Sequence, residues 1–215
     1  MKVLELFGGS RSVGNVAIEL GYEVFSTDIN GFDGIDLVKD ICDVKVEDIP
    51  FIPDIIWASP PCTYFSVSSI MRHWNADHTP KSDKALLGVK WVQVTLDLIN
   101  KFESLNPNLI WYIENPRGKL RKLPVVQGLP RATVWYCTYG DTRAKPTDIW
   151  SNNINYSDLF GYGSWTPRPE CHNGNKNCHH EAAPRGSQTG TQGLKGNYNR
   201  SKIPYELCKE ILTSI

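Results

Sequence analysis

The sequence lacks any excess of charge of one sign, since 23 Lys and Arg residues balance 23 Asp and Glu residues. A balanced chain offers no global positive field to a polyanion, so any nucleic-acid surface must be a local patch. Long apolar runs are also missing, and the apolar segment at the N-terminus is too short for the core of a signal peptide. We therefore expect a soluble cytoplasmic protein with no membrane partner, and a monomer by default.

Cysteine is sparse, with six residues spread over a chain of 215. This density is far below that of a disulfide-stabilised scaffold, and an intracellular setting would keep the thiols reduced. Each cysteine must then be core filler, a metal ligand or a nucleophile. The length suffices for one sizeable core, so we expect one domain with at most a small appendage.

Apolar strand-like segments alternate with helical patterns through the first half of the chain. The order of strand, helix and strand predicts a parallel sheet with helices on both faces, which is a doubly wound α/β fold. Two later aromatic segments, separated by a Gly-Asp turn, predict a hairpin and hence an antiparallel edge strand. The predicted strands cover residues 3–7, 23–28, 54–59, 109–115, 132–140 and 147–152, and the predicted helices cover 12–20, 84–102 and 203–212.

A glycine-rich loop at residues 8–14 follows the first strand and opens a helix. This is where backbone N–H groups and the helix dipole meet a ligand, yet neither the dinucleotide pattern GxGxxG nor the phosphate loop GxxxxGK[ST] is matched. Asp28 ends the second strand at the spacing typical of a ribose-binding carboxylate. The loop thus favours a nucleoside cofactor without pyrophosphate, and a simple tight turn with a strand-capping Asp28 remains the alternative.

Two reactive side chains follow the ends of predicted strands. Cys62 lies just past the strand at 54–59, after Pro60 and Pro61, and Glu114 closes the strand at 109–115. Open α/β sheets bind their ligands at the carboxyl ends of their strands, so the thiol and the carboxylate are expected to converge on one substrate. The alternative is a buried apolar cysteine and a carboxylate that caps a turn.

At this point the sequence resembles the cytosine-5 DNA methyltransferases. The segments ELFGGSRSVG, SPPCTYFS, IENP and YGDTRAKPTDI, together with the acidic end of the second strand, occur in the family's order. The resemblance covers about the first 150 residues and is most specific at its two chemical motifs. It implies a Rossmann-like S-adenosylmethionine-dependent methyltransferase fold, S-adenosylmethionine as cofactor and DNA as partner.

The resemblance also implies a mechanism, because carbon 5 of cytosine is a poor nucleophile until a group adds to carbon 6. Cys62 would add there as a thiolate, and Glu114 would contact the exocyclic amine and ring nitrogen 3. A third catalytic position, on the base oxygen, falls on Arg143. The target nucleotide would have to leave the duplex to reach these groups.

Binding residues are assigned by the same resemblance. The family's pattern of glutamine, arginine and arginine after Tyr-Gly reads Arg143, Lys145 and Thr147 here, and Pro116 replaces a valine, so the matches there are looser. The cofactor residues are Phe7, Gly8, Gly9, Asp28, Ile29, Asp43 and Pro60, and the DNA-contacting residues are Ser66, Asn115 and Lys145.

The predicted organisation is a cofactor-binding catalytic domain at 1–152, a reduced target-recognition insert at 153–199 and a C-terminal helix at 200–215 that packs back on the domain. An insert this short indicates a short or relaxed target preference. Residues 64–81, which mix aromatic, basic and polar side chains, form a candidate loop that closes over the base. Residues 185–193, rich in glycine and hydrogen-bond donors, form either a phosphate-binding nest or a flexible linker.

The insert also contains a cluster of cysteines and histidines. Cys171, Cys178 and His179 are candidate ligands for a structural zinc ion, and Cys137 is a candidate fourth ligand. Their spacing matches no established zinc finger, and free thiols with surface histidines are the alternative.

The sequence therefore predicts DNA cytosine-5 methylation. The competing functions are the same covalent chemistry on another pyrimidine acceptor or with another one-carbon donor, and a non-catalytic DNA-binding homologue.

Overall fold

One mixed sheet organises the molecule. The computed structural model describes residues 1–155, 163–182, 194 and 196–215, and in these ranges seven strands form a sheet of order β3-β2-β1-β4-β5-β7-β6. The strands are β1 (Lys2–Leu6), β2 (Glu23–Asp28), β3 (Leu37–Val38), β4 (Ile55–Ala58), β5 (Ile110–Pro116), β6 (Arg131–Trp135) and β7 (Pro146–Ser151). The helices are α1 (Ser12–Glu19), α2 (Ile70–His73), α3 (Asp83–Leu105), α4 (Asn197–Ser201) and α5 (Tyr205–Thr213).

The doubly wound α/β fold predicted from the sequence is confirmed. Strands β1 to β5 pair in parallel, β7 is antiparallel to both β5 and β6, and the β6–β7 hairpin completes one side of the sheet. Strand β3 was not predicted, because two residues are too few to show a pattern. Within the described ranges, none of the helices combines the length and apolar character needed to span a bilayer.

The sheet separates two apolar cores. In β4, Ile56 and Ala58 face the core on the α3 side, whereas Ile55 and Trp57 face the core built with α1 and α5. All four side chains are buried. This two-sided burial explains why β4 is apolar at every position instead of alternating with polar residues.

The described part of the insert is attached to the sheet through α5. Trp165 is buried in the same core as α1 and α5. Glu210 of α5 accepts hydrogen bonds from Tyr139 Oη, Trp165 Nε1 and Arg168 Nε at 3.2, 3.2 and 2.7 Å. The predicted phosphate nest at 185–193 lies outside the described residues.

Glu5 fixes the glycine loop from below. Its carboxylate is buried in β1 and accepts hydrogen bonds from the backbone N–H groups of Val13 and Gly14 and from the Ser26 hydroxyl, at 3.2, 3.0 and 2.8 Å. Burial raises the pKa of Glu5, and the Gly14 N–H partly opposes that rise. A Cβ at Gly14 would lie 2.5 Å from the carboxylate, so only glycine fits this approach. The carboxylate therefore caps the start of α1 in place of a local side chain.

We predict that Glu5→Ala lowers the free energy of unfolding by about 2–4 kcal/mol, because two helix N–H groups and a hydroxyl lose their acceptor in a dry interior. Urea denaturation followed by circular dichroism measures this change. Glu23→Ala, at an exposed position on neighbouring β2, is the control and should change stability by less than about 0.5 kcal/mol. Equal losses in the two variants would contradict the role given to Glu5.

Candidate active site

The site lies where β4 and β5 end. The register of the two strands pairs Ala58 with Ile113, so the loop that leaves β4 begins beside Glu114. Asn115, fully buried in β5, donates a hydrogen bond from Nδ2 to the carbonyl oxygen of Pro60 at 2.9 Å. This bond ties the Cys62 loop to the neighbouring strand.

Cys62 begins a single 3-10 turn, and its side chain is half-buried. The N–H groups of Phe65 and Ser66 both donate to the Cys62 carbonyl at 3.0 Å, which closes the turn. Burial raises the pKa of the thiol, the Lys145 ammonium lowers it and the Glu114 carboxylate raises it. The thiol therefore shares one electrostatic environment with a carboxyl group and an amine.

Glu114 is buried at the end of β5. Tyr136 donates a hydrogen bond from its hydroxyl to Glu114 Oε1 at 3.0 Å, and Lys145 Nζ lies 3.9 Å from the same oxygen. Burial raises the pKa of Glu114, while Lys145 and the Tyr136 hydrogen bond oppose that rise. A carboxyl group of this kind keeps a proton at higher pH than a solvated glutamate and is suited to donate it to a substrate.

The cation beside Glu114 is Lys145. Its ammonium lies 4.4 Å from the centre of the Tyr136 ring and donates to the Arg200 carbonyl at 3.1 Å. Its backbone has a φ of 25°, an uncommon conformation for a residue other than glycine. Burial lowers the pKa of Lys145, and the Glu114 carboxylate raises it.

Arg143 is engaged elsewhere. All three guanidinium nitrogens have partners: they bind the Asp141 carboxylate and the carbonyl oxygens of Asn199, Arg200 and Lys202. The sequence interpretation placed Arg143 on the base oxygen, whereas here the guanidinium anchors the segment that precedes α5. Sequence matching could not show this, because the carbonyl partners lie more than fifty residues farther along the chain.

The predicted cofactor residues surround the glycine loop. Gly9 donates its N–H to Asp28 Oδ2 at 3.1 Å, and a Cβ at Gly8 would lie 2.8 Å from Ile35 Cδ1. Phe7 has a φ of 58° and Gly9 a φ of 47°, so the backbone turns sharply as it leaves β1. Beyond the loop, Ile29 and Asp43 are exposed and Pro60 is buried.

A cavity of about 410 Å³ adjoins Gly9 and is also lined by Phe32 and Tyr198. Neither Cys62 nor Glu114 lines this cavity.

All three predicted DNA-contacting residues have internal partners, and Lys145 has the Arg200 carbonyl and Glu114. Asn115 is committed to the Pro60 carbonyl, and Ser66, which is half-buried, exchanges hydrogen bonds with Ser68 and Ser69.

The candidate closing loop at 64–81 has its aromatic side chains packed inward. Phe65 and Trp74 are buried and stack on each other, and Tyr64 stacks on Trp91 of α3. Bases cannot stack on these rings as they stand. The outer side of the loop carries Met71, which is 84% exposed.

Of the predicted metal ligands, Cys171 and Cys178 lie together with Cys137 and His180. The third candidate, His179, lies outside this cluster. Its Nε2 lies 3.1 Å from the Asp141 carbonyl oxygen, so its ring faces the backbone while the next residue supplies the imidazole. Sequence alone could not distinguish two adjacent histidines.

No family model matches the chain. A protein of Frog virus 3 (isolate Goorha), described as "Probable DNA (cytosine-5)-methyltransferase", is 28% identical over 156 residues, which cover 71% of each chain.

Two solved structures resemble the fold. The Entamoeba histolytica methyltransferase EhMeth superposes with a TM-score of 0.53 at 14% identity, over 80% of this chain and 57% of its own. Spodoptera frugiperda DNMT2 gives 0.47 at 17% identity, over 77% and 54%. The chain thus spans little more than half the length of either structure, and the EhMeth superposition identifies the fold as that of a methyltransferase.

We predict that the reactivity of Cys62 responds in opposite directions to its two charged neighbours. Lys145→Gln removes a positive charge, raises the pKa of the thiol and moves its alkylation by iodoacetamide to higher pH. Glu114→Gln removes a negative charge and moves it to lower pH. Peptide mass spectrometry over a pH series measures the modification of Cys62 directly.

Lys122→Gln, at an exposed lysine just past β5, is the control and should leave the alkylation profile unchanged. Profiles that do not move in Lys145→Gln and Glu114→Gln, or that move the same way, would contradict the shared electrostatic site.

Proposed function

We propose that the chain is a cytosine-5 DNA methyltransferase, like the Frog virus 3 protein that it resembles, and that it transfers a methyl group from S-adenosylmethionine to carbon 5 of cytosine in DNA. The observation that carries the proposal is the half-buried Cys62 thiol, which shares one site with the buried Glu114 and Lys145 at the ends of β4 and β5. No second function has comparable support, since a non-catalytic DNA-binding homologue would not need a thiol and a carboxyl group in one site.

Cys62 is the nucleophile. Its thiolate forms a bond to carbon 6, and the electron pair of the carbon 5–carbon 6 double bond moves into the ring toward nitrogen 3. Glu114, whose pKa is raised by burial, donates a proton or a strong hydrogen bond at nitrogen 3 as negative charge builds there. Carbon 5 of the resulting enamine is then nucleophilic enough to accept a methyl group.

The adduct resolves by elimination. Carbon 5 loses its proton to a base, the double bond to carbon 6 forms again, and the Cys62 thiolate leaves. S-adenosylmethionine, when bound, supplies an electrophilic methyl group on a sulfonium. Lys145 favours the thiolate of Cys62 both before addition and after elimination.

The residues around the glycine loop fit that cofactor. The backbone of this loop is held in place by its own hydrogen bonds, since the N–H groups of Gly8 and Gly9 donate to the Thr27 carbonyl and to Asp28 Oδ2 at 2.8 and 3.1 Å. Asp28 ends β2 with a half-buried carboxylate suited to ribose hydroxyls. Exposed Ile29 offers an apolar face to adenine, exposed Asp43 offers a carboxylate to its amine, and Phe7 and Pro60 would border the methionine part.

DNA is the proposed acceptor, with Ser66 and Lys145 nearest the base and Asn115 bracing the Cys62 loop. The neutral net charge requires a local phosphate-binding surface. Parallel assays on DNA and RNA oligonucleotides of the same sequence distinguish the acceptors, since only the DNA should yield 5-methylcytosine.

We predict that Asp28→Ala weakens the binding of S-adenosylmethionine by about 10- to 100-fold, the value of one or two hydrogen bonds to a charged group. Isothermal titration calorimetry measures the affinity without turnover. Asp33→Ala, an exposed aspartate in the next loop, is the control and should retain nearly full affinity. Unchanged affinity in Asp28→Ala would remove the ribose contact from the proposal.

We predict that, with S-adenosylmethionine present, the protein forms a covalent complex with DNA that contains 5-fluorocytosine, because a carbon 5 that bears fluorine and the transferred methyl group has no proton to lose and Cys62 cannot be eliminated. Cys62→Ala should abolish the complex, and Cys42→Ala, at a half-buried thiol outside the site, should retain it. Glu114→Gln should lower the rate of methylation by about 10²- to 10⁴-fold. Failure of the unaltered protein to form any adduct, in any sequence context, would favour a non-catalytic DNA-binding protein.

A further inference from the structure

Three thiols and one imidazole converge away from the catalytic site. The ligand atoms of Cys137, Cys171, Cys178 and His180 all lie within 4.8 Å of one another. Cys137 belongs to the turn after β6, whereas the other three come from the insert. Cys137 and Cys171 are buried, and Cys178 and His180 are half-buried.

The surroundings of this Cys/His cluster suit a metal-bound thiolate. Asn175 donates from Nδ2 to Cys171 Sγ at 3.4 Å, the type of outer hydrogen bond that orients a ligand sulfur. Trp135 and Ala144 complete a small apolar pocket around Cys137 and Cys171, which keeps water from the sulfurs.

We propose that Cys137, Cys171, Cys178 and His180 bind one Zn²⁺ ion in a closed structural site. Three cysteines and a histidine are an established zinc ligand set, and four protein ligands leave no open position for substrate. The distance from Cys171 Sγ to His180 Nδ1 is 3.8 Å. Zinc bonds of ordinary length place tetrahedral sulfur and nitrogen ligands roughly 3.6 Å apart, so small side-chain rotations suffice.

The cluster has no adequate explanation as core packing or as a disulfide. Cysteine commonly fills apolar cores, yet here three thiols meet an imidazole in a segment otherwise made of Asn, Gly, Lys and His. One disulfide would use two of the three thiols and would leave the imidazole without a role. A single Zn²⁺ ion binds all four groups and offsets two of the three thiolate charges.

The zinc ion would attach the insert to the segment between β6 and β7, which carries Arg143 and Lys145. Close to the cluster, Glu181 donates its N–H to the Thr142 carbonyl at 2.9 Å, and His179 Nε2 donates to the Asp141 carbonyl at 3.1 Å. Asp141 in turn holds Arg143 through its carboxylate. Zinc therefore stabilises the path from the insert to Arg143, a role independent of the methyl transfer proposed above.

Metal content tests the proposal without any assay of activity. The full chain, purified without chelator or dialysed against Zn²⁺, is expected to hold about one zinc per molecule by elemental mass spectrometry. Cys171→Ser and Cys178→Ser should lose it, and His180→Ala should bind zinc about tenfold more weakly or worse. His179→Ala and Cys42→Ser are the matched controls and should hold zinc as the unaltered chain does.

The unaltered chain with Co²⁺ in place of Zn²⁺ gives a second test, an absorption spectrum that does not depend on the folding of any variant. It should show thiolate-to-metal charge-transfer bands and the visible bands of tetrahedral Co²⁺. Removing the metal from the unaltered protein should speed amide hydrogen exchange in residues 172–181 about tenfold or more and leave α3 unchanged. A chain that retains no zinc after dialysis, or equal affinities in His179→Ala and His180→Ala, would overturn the proposal.

Discussion

The hydrogen bond from Asn115 Nδ2 to the Pro60 carbonyl holds the site together. Strand pairing brings β4 and β5 side by side, but it ends at Ala58, four residues before Cys62. Beyond that point the Ser59 N–H donates to the Leu6 carbonyl at 3.3 Å, and the Asn115 bond and the fixed φ angles of Pro60 and Pro61 guide the backbone onward. Because both partners are buried, the bond is protected from exchange with water, and the position of Cys62 depends on a side chain of the neighbouring strand.

The chemistry of the site follows from how burial and charge oppose each other. Burial alone favours the neutral thiol of Cys62, the neutral carboxylic acid of Glu114 and the neutral amine of Lys145. The neighbouring charges oppose this effect of burial: the Lys145 ammonium lowers the pKa of Cys62, and the Glu114 carboxylate raises the pKa of Lys145. Their protonation states therefore depend on one another, and an observed pKa belongs to the site as a whole. Protonation of the thiol and of the carboxyl group is therefore set by the Lys145 charge as well as by burial.

Two kinds of feature could be predicted from the sequence: the apolar segments that form strands, and the side chains that follow the ends of those strands. Apolar segments indicated β1, β2, β4, β5 and the β6–β7 hairpin. Strands that are buried on both faces of a sheet are apolar along most of their length, which makes them visible in the sequence. Cys62 was placed by the rule that open α/β sheets bind their ligands at the carboxyl ends of their strands.

Contacts between distant segments could not be predicted in this way. Glu5 appears as one more polar residue in a strand until α1 is placed over it. The partners of Arg143 are backbone carbonyls near residue 200, and a carbonyl carries no sequence signal. The inward packing of Trp74 likewise depends on a tertiary neighbour, Phe65.

The basic side chains of the YGDTRAKPTDI segment show how a short insert can be accommodated. Arg143 and Lys145 both bind the Arg200 carbonyl, so the segment that leads into α5 is held by the same stretch that borders Glu114. At its other end α5 holds Tyr139, Trp165 and Arg168 through Glu210. The insert and the closing helix are thus attached to one short stretch of chain between β6 and β7. A displacement of residues near 200 would move Lys145, and with it the balance of charge on Glu114, so the peripheral segment and the chemistry of the site are physically connected.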